Sequence, residues 1–264
     1  MLLILGQGYS GTFIARAAHA AGQQVLGVRR QGGEGLIAFD DPALPDAIAS
    51  ASHILSSIPP DSSGADPVLT RFHGLLAHHG GWLAYLSSTG VYGDAGGAWV
   101  DEATPIGSGR REARTEADLG WQALGATIFR LPGIYGPGRS ALDQVRAGTA
   151  RRIDRPGHRF SRIHVADIAG AVLAAMQQRA QGIFNITDDL PAEPRHVTEF
   201  ACRLLGAPLP PLLPLDDATL PPMARAFWTE RRCVSGRKLA RETGYRLRHP
   251  DYKAGLLAIL KGIE

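Results

Sequence analysis

Short apolar runs alternate with amphipathic stretches along the 264 residues of this chain. Runs at residues 2–5, 25–28, 36–39, 53–57, 82–88, 127–131 and 183–186 have the length and composition of strands buried on both faces. Between and after them, helical spacing marks residues 12–21, 42–50, 67–79, 110–124, 165–178, 193–205, 223–232 and 251–260. Strand–helix alternation of this kind dictates an α/β fold, with a doubly wound parallel sheet covered by helices on both faces. Two stretches break the pattern: a polar, arginine-bearing excursion at 140–159 and a proline-rich connector at 208–222. The expected division is therefore a sheet domain at 1–139 and 163–187, with a small C-terminal lobe at 140–162 and 188–264 over the sheet's carboxyl edge.

The first apolar run, Leu2 to Leu5, stops at Gly6, and Gly6, Gly8 and Gly11 form G-x-G-x-x-G ahead of a helix. Strand, glycine turn and helix in that order are the fingerprint of a dinucleotide site. Gly6 permits the tight turn, Gly8 lets backbone approach a pyrophosphate, and Gly11 lets the helix pack on the sheet. Tyr9 and Ser10 lie within the turn. The helix N-terminus offers free N–H groups to the anion. The second run closes on Arg29 and Arg30 with no acid before Glu34. An acid at that place bonds the 2′-hydroxyl of NAD and an arginine accommodates the 2′-phosphate of NADP, so the sequence favours NADP over NAD. The fourth run ends in Ser57-Ile58-Pro59-Pro60, because proline cannot continue a ladder, and its carboxyl end falls beside the glycine turn. The fifth delivers Ser87, Ser88 and Thr89, followed by the glycine-bracketed Tyr92, into the same crevice.

Charge and composition remove several classes. Lys and Arg total 28 against 25 Asp and Glu, and the arginines are scattered, so there is no nucleic-acid footprint. The two cysteines have no ligand spacing, and the scattered histidines have no metal-ligand company. No run approaches a membrane span, and the N-terminal run lacks the basic flank of a signal peptide. A cytoplasmic protein acting on a small molecule is the expectation.

With GQGYSG, LSSTGVYGD, FRLPGIYGPGR and SRIHVADIAGAV in that order, the chain resembles the extended short-chain dehydrogenase/reductases, the NAD-dependent epimerase/dehydratase family. The resemblance covers most of the chain, to Lys238–Tyr245 and the Pro250-Asp-Tyr helix. It implies a Rossmann domain, a small substrate lobe, NAD or NADP, and a homodimer. Ser88 matches the family's catalytic Ser/Thr, and Leu131, Pro132 and Gly133 match the loop at the nicotinamide end. His164, Val165 and Asp167 match a motif that ties the lobes together.

Two departures stand out. The glycine motif is one residue shorter than usual for the family. The Tyr-x-x-x-Lys pair is missing: aligning the family's following glutamate to Glu116 puts Ser108 at the tyrosine and Glu112 at the lysine. There is no tyrosine between Tyr92 and Tyr135 and no lysine before Lys238. The chain thus reads as an atypical subgroup, with two functions in competition. One is an NADP-dependent oxidoreductase or epimerase acting on a sugar nucleotide or other alcohol or ketone. Ser88 then bonds the reacting oxygen, Tyr92 or Tyr135 handles the proton, and Thr89, Arg139 and Arg162, with Arg151 and Arg152, receive a substrate that bears phosphate. The other is a non-catalytic NADP(H)-binding sensor or regulator that has lost the Tyr/Lys chemistry.

Overall fold

The computed structural model describes residues 1–109, 112–216 and 228–263. Its strands are β1 (Leu2–Leu5), β2 (Val25–Arg29), β3 (Gln31–Gly33), β4 (Leu36–Ala38), β5 (His53–Ser56), β6 (Trp82–Ser88), β7 (Trp99–Val100), β8 (Thr127–Leu131), β9 (Gly133–Tyr135), β10 (Arg152–Asp154), β11 (Arg162–His164), β12 (Ile183–Asn185), β13 (Leu212–Pro214) and β14 (Cys233–Val234). The helices are α1 (Tyr9–Ala20), α2 (Leu44–Ser50), α3 (Pro67–Ala77), α4 (Glu112–Ala123), α5 (Ala141–Arg146), α6 (Val165–Gln177), α7 (Pro194–Leu205), α8 (Arg237–Thr243) and α9 (Tyr252–Lys261).

Eight strands form one sheet in the order β12-β8-β6-β5-β1-β2-β4-β3. Every pair in it is parallel except β3–β4. The order reverses at β1, which lies between β2 and β5, and open α/β sheets bind ligands beyond such a switch point. Side chains of β1 alternate between two apolar clusters. Leu2 and Ile4 face α1 and α6, and Leu3 and Leu5 face α2, α3 and α4. All four are fully buried, which is why the run carries no polar residue.

The hairpin β3–β4 was not expected; it holds Arg30 and Gln31 at the sheet's edge. Helix α1 begins at Tyr9 and not at residue 12, because the glycine turn closes sooner than the apolar periodicity indicates. The helix expected at 223–232 lies outside the described residues up to 227, and 228–232 are turn and extended chain. Residues 110–111 of the expected 110–124 helix also lie outside them. A separate cluster joins α5, α7 and α9 through Leu142, Ala201 and Leu256, and β10 pairs with β13 beside it. By contrast Leu239, Tyr245 and Leu247 pack into the core beneath the main sheet. That stretch covers the sheet, although the sequence division groups it with the small lobe.

Candidate functional site

A cleft of about 1470 Å³ opens at the carboxyl ends of the sheet. Gly6, Gly8, Tyr9, Ser10, Arg29, Arg30, Ser57, Ile58 and Pro59 line one end of the motif-bearing wall. Ser87, Ser88, Thr89, Leu131, Pro132, Gly133, Arg139 and Arg162 line the same cleft. The candidate residues, spread over about 160 positions, therefore share one cavity, with five exceptions. Gly11 sits beneath the turn, where a Cβ would come within 3.1 Å of the Gly6 carbonyl and 3.3 Å of Ile4. That is the helix-to-sheet packing role expected of it. The others are Tyr92 and Tyr135, and Arg151 and Arg152, which lie outside the cleft and do not take the phosphate role expected of them; Arg152 is instead paired with Glu199 (Nη2–Oε1 2.6 Å).

The turn is built for close approach. Gly6 has φ +90°, and a Cβ there would lie 2.7 Å from Ile58 Cγ1. Ser57 Oγ donates to the Gly6 carbonyl and locks β5's end against the turn (2.5 Å). At Gly8 a Cβ would meet only the Gly6 carbonyl, at 3.9 Å, so space lies open over the start of α1. No side chain caps α1 and its first turn has no acid. Its free N–H groups and the helix dipole thus face the cleft. Arg29 Nε donates to the Gln7 carbonyl (2.8 Å), which holds that guanidinium beside the turn.

At the other end Ser88 Oγ accepts a hydrogen bond from the Gly90 amide (3.1 Å) at the start of a 3₁₀ turn, Thr89–Tyr92. Its hydroxyl proton remains available to a neighbour in the cleft. Ser88 pairs with Leu131 across β6–β8, and Gly133 pairs with Arg162 across β9–β11. These registers bring the hydroxyl cluster, the Leu131–Gly133 loop and Arg162 side by side.

Behind Ser87 lies a buried charge network. Arg130, inside β8, forms a fork with Asp118 of α4 (Nη2–Oδ1 2.9 Å, Nε–Oδ2 3.1 Å). Ser87 Oγ donates to the same carboxylate at 2.5 Å. Arg130 Nη1 donates to the Tyr92 phenol (3.1 Å), which donates to Asn185 Oδ1 (2.8 Å). Burial acts to lower the Arg130 pKa, and the bonds to Asp118 outweigh it and raise it.

This network corrects one expectation. Tyr92 is buried with its hydroxyl committed to Arg130 and Asn185, and burial raises its pKa. Tyr135 is buried too, donates to the Asp251 carbonyl (3.3 Å), and is raised further by burial. Neither phenol lines the cleft, so neither takes the proton role given to it above. Ser108, at the aligned tyrosine position, donates to the Tyr92 carbonyl (3.1 Å), and Glu112 is exposed. From the same helix it is Arg114 that lines the cleft, and the sequence reading missed it. Also missed were Phe160, Trp228, Arg232 and Val234, which come from segments about 70 residues apart and carry no local motif. The Asp118–Arg130 pair did leave a signal: an arginine inside the apolar strand TIFRL requires a buried partner.

Asp167 clasps the C-terminal segment to α6. Its oxygens accept from Tyr245 Oη (2.9 Å), the Arg248 and His249 amides (2.6 and 3.0 Å) and His249 Nδ1 (2.8 Å). His164 stacks on His249 with centroids 3.9 Å apart, and burial pushes its pKa down to about 4. These bonds tie the C-terminal segment to α6.

Sheet order and glycine turn together define a Rossmann-fold protein with the architecture of the nucleotide-binding α/β class. No family model matches the sequence. Among curated proteins, YeeZ of Escherichia coli is 27% identical, covering 94% of this chain and 96% of YeeZ. A structure of a conserved protein of unknown function from Silicibacter pomeroyi matches with TM-score 0.90 and 38% identity, over 99% of this chain and 98% of that one. A Methylobacillus flagellatus protein assigned to the NAD-dependent epimerases/dehydratases matches with TM-score 0.75 and 27% identity, over 99% and 98%. The human epimerase family protein SDR39U1, solved with NADPH, shares the fold at 20% identity and TM-score 0.76, over 99% of each chain. Over its whole length the chain is thus similar to a protein assigned to the NAD-dependent epimerases/dehydratases, and it shares their fold. No described helix is long and apolar enough to cross a membrane.

Proposed function

We propose that this protein is an NADP(H)-dependent oxidoreductase or epimerase-like enzyme acting on a small alcohol or ketone. One observation carries the reading: the glycine turn, the arginine pair and the Ser87–Ser88–Thr89 hydroxyls line a single cleft. The residues fit a dinucleotide on geometric grounds, since the uncapped start of α1 faces open space over Gly8. Gly6, Gly8 and the first turn of α1 would hold the pyrophosphate, and Leu131–Gly133 would border the nicotinamide. Arg29 and Arg30, with Gln31 of the hairpin, would take the 2′-phosphate. Each charge-assisted bond there contributes about 1.5–3 kcal/mol. NADPH in the structure of SDR39U1 is in line with this choice. When bound, the nicotinamide supplies or accepts hydride.

Ser88 would orient and polarise the reacting oxygen, donating the proton that its bond from Gly90 leaves free. Neither Tyr92 nor Tyr135 faces that end, so the general acid–base assistance expected of them, worth roughly 10²–10⁴-fold, is missing. The expected enzyme is therefore slow. The burial of Tyr92 and Tyr135 also favours a second reading, an NADP(H)-binding sensor without turnover. The two separate in one experiment, NADPH oxidation across sugar nucleotides and simple carbonyls. Turnover that disappears in Ser88→Ala supports the enzyme. Tight NADPH binding with no turnover on any of them supports the sensor.

A further inference from the structure

The cleft's arginines are not equivalent. Arg29 is tethered at the glycine turn, Arg232 is paired with Glu230 (3.0 Å), and Arg139 lies over the ring of Tyr9 (5.6 Å). Arg162 differs. Its Nη1 donates to the carbonyls of Phe160 (2.8 Å) and Ala192 (2.9 Å), and among the described residues no carboxylate oxygen comes within 4.0 Å of it. Its Nε and Nη2 have no hydrogen-bond partner among the described residues and are not sealed from the cleft it lines. The acid that faces it, Asp188, is pushed up to about 8 by burial, in spite of the pull of Arg162. The guanidinium is thus largely withdrawn from water with two nitrogens unspent and no full counter-charge, a costly state that an anionic ligand relieves.

Its neighbours specify what accompanies that anion. Phe160 and Trp228 line the same cleft, edge to face with centroids 5.6 Å apart. His158 packs behind both rings, at 4.7 and 5.1 Å, and fixes the wall. The register Arg162↔Gly133 puts the guanidinium's strand against the loop that follows Leu131, and Leu131 itself pairs with Ser88.

Resting on the nicotinamide-dependent reading of the cleft, we propose that Arg162 anchors an oxyanion of the substrate, a carboxylate or a phosphate. Phe160 and Trp228 receive a planar apolar body, and Ser88 holds the reacting oxygen. The substrate class is a small aryl or similarly flat carbonyl compound that carries an acid group.

The test uses the protein saturated with NADPH, titrated with benzoate, phenyl phosphate and the neutral isostere benzamide, followed by calorimetry and Trp fluorescence. At least one of the two anions is expected to bind ~10-fold or more tightly than benzamide, the scale of one charge-assisted bond. Benzoate against phenyl phosphate then separates the two acid groups. Arg162→Gln should abolish the preference and Arg162→Lys should retain part of it, with the NADPH Kd within about twofold of the parent. Benzamide binding as well as both anions overturns the proposal, as does a preference that survives Arg162→Gln. If Arg162→Gln does not fold, Arg162→Lys decides: an undiminished preference overturns the assignment of the planar fork, and a reduced one supports it. Failure of the parent to bind NADPH strikes the cofactor reading instead, and probe titrations without NADPH keep the two results apart.

Discussion

Replacing Asp118 by Asn is the sharpest stability test of the site's foundation. The Asp118 and Arg130 side chains are 0% and 2% exposed, so solvent cannot compensate either charge. The carboxylate accepts four hydrogen bonds: two from Arg130, one from Ser87 and one from Gln122 Nε2 (2.6 Å). An amide of the same shape turns one acceptor into a donor facing donors and leaves the Arg130 charge buried alone. Breaking a buried pair in this way costs about 3–5 kcal/mol. In a protein whose total stability is of order 5–15 kcal/mol, that is a large share. At about 2–4 °C per kcal/mol for a chain near this size, Tm should fall by about 6–20 °C. Thermal and urea melts measure it, and NADPH titration should show a smaller secondary loss because Ser87 no longer has its acceptor. The double variant Asp118→Asn/Arg130→Met should cost less than the sum of the singles, since the stranded charge is gone. A single-variant cost below about 1 kcal/mol would refute the account of β8 and α4 as joined by this pair.

Further outcomes follow from the cleft and from the buried acids and bases. Gly6→Ala should destabilise by about 1–3 kcal/mol, because φ +90° and the 2.7 Å approach to Ile58 both penalise a side chain, and NADPH binding should fall at least ~10-fold by titration. Gly8→Ala should melt like the parent yet lose NADPH affinity, since its Cβ meets only open cleft. Arg29→Ala with Arg30→Ala should weaken NADPH far more than NADH; equal losses would remove the NADP preference. Burial lowers His158 and His164 to about 4, so the unfolded chain binds those protons first and stability rises with pH from about 4 to 6.5. Asp188, raised to about 8, works oppositely: its contribution is full below about 3.8 and is lost as pH climbs through 8. Stability should peak near pH 6.5, each proton changing it by up to about 1.4 kcal/mol per pH unit. Asp188→Asn should flatten the decline from 6.5 to 8 in urea melts.

The cofactor half of the cleft was legible because its information is local. Gly6, Gly8 and Gly11 span six residues, and a strand before them and a helix after them suffice to aim the turn. Arg29 closes a strand whose register with β1 is set by apolar alternation alone, Ser57 follows β5 on the other side of β1, and Ser88 ends β6, the next strand along. The placement of the two tyrosines was not legible. Tyr92 follows the hydroxyl cluster by three residues, but the 3₁₀ turn carries it around into the core. There Asn185 and Arg130, both distant in sequence, wait with the partners a buried phenol needs. Proximity along the chain suggested a catalyst, and the turn's geometry made it a core residue.

The substrate half had no comparable local signal, for a physical reason that bears on function. Arg162, Phe160 and Trp228 meet only because β11 pairs beside β9 and the 228–234 segment returns along β7. Phe160 and Trp228 stand in no motif, and Arg162 was marked only by its place in the SRIHVADIAGAV stretch. A glycine turn must present backbone to a pyrophosphate common to all its ligands, so its sequence is constrained. A substrate pocket needs only one charge and one wall in the right place, and many segments can supply them. The half-buried guanidinium of Arg162, open to the cleft and with no carboxylate beside it, carries more information about the substrate than the hydroxyl cluster, because an anionic ligand would relieve the cost of that charge.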